Sequence, residues 1–277
     1  MKNKGNKIGK DNYEFLSQAF NMADKASAEL MNNFRKDRPV QRGTVKEVKI
    51  IYDKISDRII RDSIEKNFPL HSLITEESGR IKRDSEYLWI IDPLDGTSNY
   101  ASHNPFFSVS ISLWKSGSPL IGLIDAPMLK ERFYAVSGHG AYHIDFLRNE
   151  QKTVYVSDIK NPEKAYGVYC EGGVKDKKRS LSILKSYYMK LRDVRKLGSA
   201  AIELAFVGTG RSESYMTTEI SIWDIAAGII FVKEAGGEIC HFNGIPYKWS
   251  EFDPDLNFDI VATNGSIRIN LVNGAPD

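Results

Sequence analysis

The strongest constraint in this sequence is the stretch Trp89-Ile90-Ile91-Asp92-Pro93-Leu94-Asp95-Gly96-Thr97-Ser98-Asn99, where an apolar run ends in two acids, a proline and a glycine. A strand here delivers carboxylates to its own end. Pro93 cannot extend a ladder of hydrogen bonds and Gly96 permits backbone conformations that other residues resist, so Asp92 and Asp95 are predicted to lie in a tight turn. Like charges that close repel, and unless a cation sits between them one must take up a proton, which points to a hard-metal site. Gly96, Thr97 and Ser98 then read as a helix start, whose free N–H groups suit a phosphate. Read as residues alone, the turn is equally compatible with an acidic surface loop in which Asp95 caps a helix.

The rest of the chain reads as α/β. Phe15, Ala19, Ala23, Ala26, Leu30 and Phe34 recur at helical spacing over residues 11–35, with Asp11 or Asn12 as the cap. Residues 36–44, with Pro39 and Gly43 among charges, break that helix. A second helix runs from Asp53 to Phe68, placing Asp53 at its start as an N-cap or first-turn acid. A short strand from His71 to Thr75 leads into Glu76 and Glu77, which by themselves read as a surface acidic pair. Strict alternation between Phe106 and Trp114 predicts a half-buried strand, and 120–124, 132–136 and 141–144 continue an antiparallel meander. Beyond residue 150, strands at 154–156 and 167–170 alternate with helices at 180–191, 199–207 and 224–235. The expected division is therefore 1–150 and 151–277. Gly198 and Ser199 mark a strand-to-helix junction, and Trp223 is expected to be buried beside Asp224.

A chain of 277 residues with 42% hydrophobic residues can bury a sizeable core, and 38 basic against 36 acidic residues leave a net charge of +2. No bias toward nucleic acid follows. Residues 1–10 carry no apolar core, no window approaches the roughly 20 apolar residues that span a bilayer, and Cys170 and Cys240 read as buried free thiols. A cytoplasmic location without membrane partners is expected. His139 and His143 lie four apart in strand context, which argues against zinc. The sequence contains no GxxxxGK[ST], GxGxxG or GxSxG motif, and the DxxD spacing offers no aspartyl nucleophile, leaving water as the attacking group.

Asp92 to Tyr100 resembles the first signature of the inositol monophosphatase family, Trp223 to Gly228 followed by Glu234 to Gly237 resembles its second, and Thr75-Glu76-Glu77-Ser78 is similar to its third acidic element. The resemblance implies a layered α/β/α/β/α sandwich with an antiparallel first sheet and a mixed second one, and a homodimer. It implies a lithium-sensitive, Mg²⁺-dependent phosphomonoesterase using a metal-activated water. Glu76, Asp92, Asp95, Asp224 and the Leu94 carbonyl would hold about two or three magnesium ions. It further implies that Thr97, backed by Asp53, orients the water, that Glu77 accepts a proton, and that the N–H groups of Gly96 and Thr97 bind phosphate.

Gly198, Ser199 and Ala200 match the segment lining the family's substrate pocket. Thr217 stands where inositol-specific relatives place Glu and the bifunctional archaeal type places Arg, and Glu219 could substitute only if 215–222 is a loop on another path. The substrate implied is a small sugar or polyol phosphate, inositol 1-phosphate first, with fructose 1,6-bisphosphate, histidinol phosphate and 3′-phosphoadenosine 5′-phosphate as alternatives. A non-catalytic binding module on the same scaffold is the alternative of another class.

Overall fold

The structure is a computed structural model that describes residues 9–36, 45–172, 176–269 and 271. Helix α1 spans Lys10–Asn33 and buries Phe15, Ala19, Ala23, Ala26 and Leu30 of the stripe expected from the periodicity, together with Met22. It starts after Gly9, so Asp11 lies in its first turn instead of capping it. The expected break at 36–44 lies mostly outside the described residues. Helix α2 spans Val45–Asn67, which corrects the expected start: Asp53 is inside the helix and 2% exposed, not an N-cap.

The first sheet contains β1 (Ser72–Thr75), β2 (Gly79–Ile81), β3 (Tyr87–Asp95), β4 (Ser108–Lys115), β5 (Ser118–Ala126), β6 (Glu131–Val136), β7 (Gly140–Asp145) and β8 (Glu150–Val154). Their order is β2-β1-β3-β4-β5-β6-β7-β8. The pairing is antiparallel throughout except between β1 and β3, which run parallel, so this sheet is mixed where an antiparallel one was expected. The last strand ends at Val154, ahead of the 154–156 segment anticipated.

Strand β4 is buried on both faces, not half-buried. Phe107 just before it and Val109, Ile111 and Leu113 within it pack with α1 and α2 residues, whereas Ser108, Ser110 and Ser112 turn to the other face. The Ser112 hydroxyl satisfies itself locally by donating to the Ile121 carbonyl at 2.9 Å, and side chains this small leave room for a helix to approach.

The middle layer consists of α5 (Ala200–Gly208) and α6 (Ile222–Glu234). Helix α6 was expected to bury one face, yet Ile222 and every residue from Ile225 to Val232 are buried, because it lies between two sheets. The second sheet has the order β10-β9-β11-β13-β12 and is mixed as expected. Its strands are β9 (Tyr166–Glu171), β10 (Asp193–Arg195), β11 (Ser214–Ile220), β12 (Glu238–Cys240) and β13 (Phe258–Thr263). Residues 215–220 are thus strand, not the loop considered from sequence.

Helix α4 (Lys177–Tyr188) covers the outer face, with Tyr187 packed against Met216 and Val261. Asp176 caps it by accepting from the N–H groups of Lys178 and Arg179, both at 3.0 Å, so the basic run is a solvated helix start. A five-residue helix α3 (Thr97–Ala101) follows β3. The result is the five-layered α/β/α/β/α sandwich. Among the described residues no helix is long and apolar enough to cross a membrane.

Gly122 on β5 is where α6 comes closest to the first sheet. A Cβ there would sit 2.4 Å from Ile230 Cγ2 and 2.5 Å from the Ala227 carbonyl oxygen. The carbonyl belongs to a packed helix and cannot swing away. Gly122→Ala should therefore cost about 1–3 kcal/mol, read as a lower urea midpoint at unchanged m-value; an unchanged midpoint would contradict the packing described.

Candidate active site

Strand β3 carries its apolar residues into the core and releases Asp92 and Asp95 where regular pairing with β4 breaks: the register jumps between Asp92↔Ser110 and Asp95↔Ser108. Pro93 and Leu94 fill the irregularity, so both acids lie within the end of β3, on either side of a bulge, and not in the tight turn expected. The Leu94 N–H donates to Asp92 Oδ1 at 3.0 Å, and Ser56 of α2 donates to the Pro93 carbonyl at 2.7 Å. The segment carrying Asp53 is thereby tied to the acid-bearing end of β3.

Gly96 has φ +82°, and an added Cβ would meet the Phe106 carbonyl oxygen at 2.6 Å, so both its conformation and its surroundings require glycine. It is the N-cap of α3, so Asp95 does not cap that helix. The Thr97 hydroxyl donates to the Leu94 carbonyl at 3.1 Å.

Asp95 instead faces the second half of the chain. Its carboxylate accepts from the Ser108 hydroxyl at 3.1 Å, from the Ser199 hydroxyl, and from the N–H groups of Ala200 and Ala201 at 3.1 and 2.9 Å. The open N–H groups of α5 find their acceptor in an acid contributed by the other sheet. Asp224, in the first turn of α6, accepts from the Ser221 N–H at 3.2 Å. Ligand atoms of Asp92, Asp95 and Asp224 lie within 4.8 Å of one another. Asp92 and Asp95 are 1% and 5% exposed, which rules out the acidic surface loop.

Burial is the largest cause raising all three carboxyls above their usual range. Glu76, Asp95 and Asp224 add to it for Asp92, while Asp95 and Glu76 do so for Asp224. Four hydrogen bonds hold the Asp95 value down against that push. The nearby Cys170 thiol is also pushed well up by burial, so it presents no thiolate to a soft metal. Convergent oxygen donors with no competing nitrogen or thiolate fit a hard divalent cation.

The acids open into a cavity of about 380 Å³ that also includes Glu76, Leu94, Gly96, Thr97, Gly198, Ala200, Glu171, Ile220, Ser221 and Trp223. Nine sequence-predicted residues therefore share one cavity: Glu76, Asp92, Leu94, Asp95, Gly96, Thr97, Gly198, Ala200 and Asp224. Trp223 is half-buried and lines it, contrary to the expectation that it would be buried. Asp53, Glu77, Ser199 and Thr217 do not line the cavity. Ser199 lies behind Asp95, and Thr217 is fully buried within β11.

A larger cavity of about 720 Å³ lies beyond β11, but its Arg179 is paired with Asp259 and it holds no comparable convergence of acids. Sequence reasoning missed Glu203 and Ser108. Glu203 was signalled by standing alone in the apolar run Ala-Ala-Ile-Glu-Leu-Ala-Phe-Val, where an acid needs partners. Ser108 carried no such signal.

Residues 11–272 match the sequence profile of the inositol monophosphatase family. The chain belongs to that family. Within the inositol monophosphatase family it is 37% identical, over 198 residues, to the Nus factor SuhB of Pasteurella multocida, covering 69% of this chain and 71% of that one. It is likewise 37% identical over 199 residues to the fructose-1,6-bisphosphatase/inositol-1-monophosphatase of Thermotoga maritima, covering 72% and 73%. The inositol monophosphatase structure from Anabaena superposes with a TM-score of 0.77 at 34% identity over 92% of each chain.

With folded-state values raised, Asp92 and Asp224 lose stabilisation as pH climbs from their unfolded value near 4 through the raised values, and regain it on acidification. Asp224→Asn removes one repelling charge yet keeps an oxygen for the Ser221 N–H. In chelator-treated protein at pH 7 this variant should melt above wild type, by about 2–4 °C per kcal/mol of relieved repulsion, and the gap should close toward pH 4. An equal or lower melting temperature at pH 7 would show that the carboxylates do not strain the metal-free fold.

Proposed function

We propose that the protein is a Mg²⁺-dependent phosphomonoesterase acting on a small sugar or polyol phosphate, inositol 1-phosphate first. The observation that carries this reading is the shared cavity, in which Asp92, Asp95 and Asp224 converge beside the Gly96-Thr97 backbone. Glu76, Asp92, Asp95, Asp224 and the Leu94 carbonyl would hold the cations, about two or three of them. When bound, Mg²⁺ supplies Lewis acidity and neutralises charge on the phosphoryl group.

The chain's own residues orient the reaction. The Thr97 hydroxyl proton is committed to Leu94, which leaves its oxygen to accept from a water aimed at phosphorus. Attack forms the new P–O bond as the ester P–O bond breaks; of the two protons of the attacking water, one stays on the phosphate formed and the other passes to the departing oxygen, which leaves as an alcohol. Glu77 would serve as a further proton acceptor, and Asp53, buried within α2, would back Thr97 in orienting the water. The N–H groups of Gly96 and Thr97 bind phosphate oxygens, as glycine-bounded turns do.

The leaving group would face Glu171, Ser221 and Trp223, a wall with an acid, a hydroxyl and an aromatic ring that suits a hydroxyl-rich ring. Thr217, a short buried side chain outside the cavity lining, offers no carboxylate for ring hydroxyls, which supports fructose 1,6-bisphosphate, named in the Thermotoga maritima relative, as the first alternative. A second reading, a binding module, rests on relatives named Nus factor.

Phosphate release from inositol 1-phosphate, fructose 1,6-bisphosphate, histidinol phosphate and 3′-phosphoadenosine 5′-phosphate separates these readings. We expect Mg²⁺-dependent turnover of a polyol or sugar ester, lost by about 100-fold or more in Asp224→Asn. Preference for the adenosine bisphosphate would overturn the polyol assignment, and no turnover of any of them would favour the binding module. Lithium at millimolar order should inhibit at saturating Mg²⁺; a rate indifferent to it would separate this chain from lithium-sensitive relatives.

A further inference from the structure

Glu203 is an acid with no exposed surface in the first turn of the apolar helix α5. Its Oε1 accepts from the N–H groups of Leu197 and Gly198 at 2.7 and 3.0 Å. Its Oε2 is buried and has no hydrogen-bond partner among the described residues. A lone buried carboxylate costs several kcal/mol when merely inserted into a core, so its place there calls for a reason beyond packing.

The two amides it holds begin the segment that carries the Asp95 donors. Gly198 turns the chain at φ +82° and lines the cavity, and Ser199, Ala200 and Ala201 follow immediately to grip Asp95. On the other side of the turn, Asn99 donates to the carbonyls of Leu197 and Phe106, each at 2.7 Å, so the turn is pinned to the segment after the acids. A glycine turn left to itself samples many conformations. Glu203 closes it.

We infer that Glu203 is a positioning residue: by clamping the Leu197–Gly198 turn it sets the Ser199-Ala200-Ala201 donors against Asp95 and so fixes Asp95 for ligand binding. The inference rests on the proposed metal site for its functional consequence, but its structural core does not. Outer partners of this kind typically change metal affinity about 10- to 100-fold when removed. The role needs an acceptor oxygen and not a charge, because both groups held are neutral amides.

Three variants separate positioning from mere stability. Glu203→Gln keeps an oxygen for both amides, Glu203→Asp keeps the carboxyl but cannot reach as far, and Glu203→Ala removes the clamp. Amide hydrogen exchange is read at Ala200 and Ala201, which bond to Asp95 and not to Glu203. Magnesium alone is titrated calorimetrically into each chelator-treated protein well below its melting temperature.

The expected result is faster exchange at both alanines in Glu203→Asp and Glu203→Ala, Mg²⁺ affinity weakened about 10- to 100-fold in the same two, and both properties restored in Glu203→Gln. If Glu203→Ala does not fold, the Asp and Gln pair decides. Unchanged exchange at Ala200 and Ala201 in Glu203→Asp overturns the inference, as does unchanged Mg²⁺ affinity with a lowered melting temperature. Should wild type bind no Mg²⁺ and cleave no ester, the functional reading fails, and the exchange comparison still decides whether Glu203 positions Asp95.

Discussion

The structure depends on keeping three carboxyl groups close together in a place where water cannot fully solvate them. Asp92 and Asp95 come from the end of a strand of the first sheet, and Asp224 from the start of a helix in the middle layer. Burial raises all three carboxyls, with repulsion from neighbouring acids adding to it for Asp92 and Asp224, and the fold offsets this with neutral donors instead of basic side chains: Ser108, Ser199, two alanine amides and the Leu94 and Ser221 amides. Among the described residues no lysine or arginine forms an ion pair with these three acids. Internal cations would have quenched the site, and their absence leaves the charge to whatever ligand enters.

That arrangement explains the layering. Helix α6 must reach the acid-bearing end of β3 while lying between two sheets, so it is apolar around its circumference and its approach is cleared by Gly122 and by the serine face of β4. Helix α5 must aim its N-terminus at Asp95, so the preceding turn is glycine-bent and clamped. The site is therefore an outcome of how the halves of the chain are joined, and Asp95 is the joint. Removing its carboxylate disturbs packing as well as charge, whereas Asp224 carries mostly charge.

Much of this was legible in the sequence because the acids sit at points where periodicity fails. Asp92 and Asp95 interrupt an apolar strand, and Asp224 stands in the first turn of an apolar helix after Ser221, so each is marked out by its neighbours. The misreadings have physical causes. The stretch Val-Lys-Glu-Val-Lys-Ile-Ile-Tyr before Asp53 mixes β-branched and charged residues without a cap, which hid eight residues of α2. The polar Thr217 and Thr218 made β11 look like a loop, although both are buried. The serines of β4 suggested solvent where a helix lies instead. Clustering of Glu76 with the other acids, and the hold of α5 on Asp95, are long-range contacts that local pattern cannot supply.

The central claim is that this acid cluster is built to hold a hard divalent cation. Anomalous diffraction from crystals soaked in Mn²⁺, an oxygen-seeking substitute for Mg²⁺, tests it most directly. The account predicts an anomalous peak among the carboxylates of Asp92, Asp95 and Asp224 that is absent from Asp224→Asn crystals soaked alike. Mn²⁺ bound elsewhere, with the three acids hydrogen-bonded to one another around no ion, would contradict it.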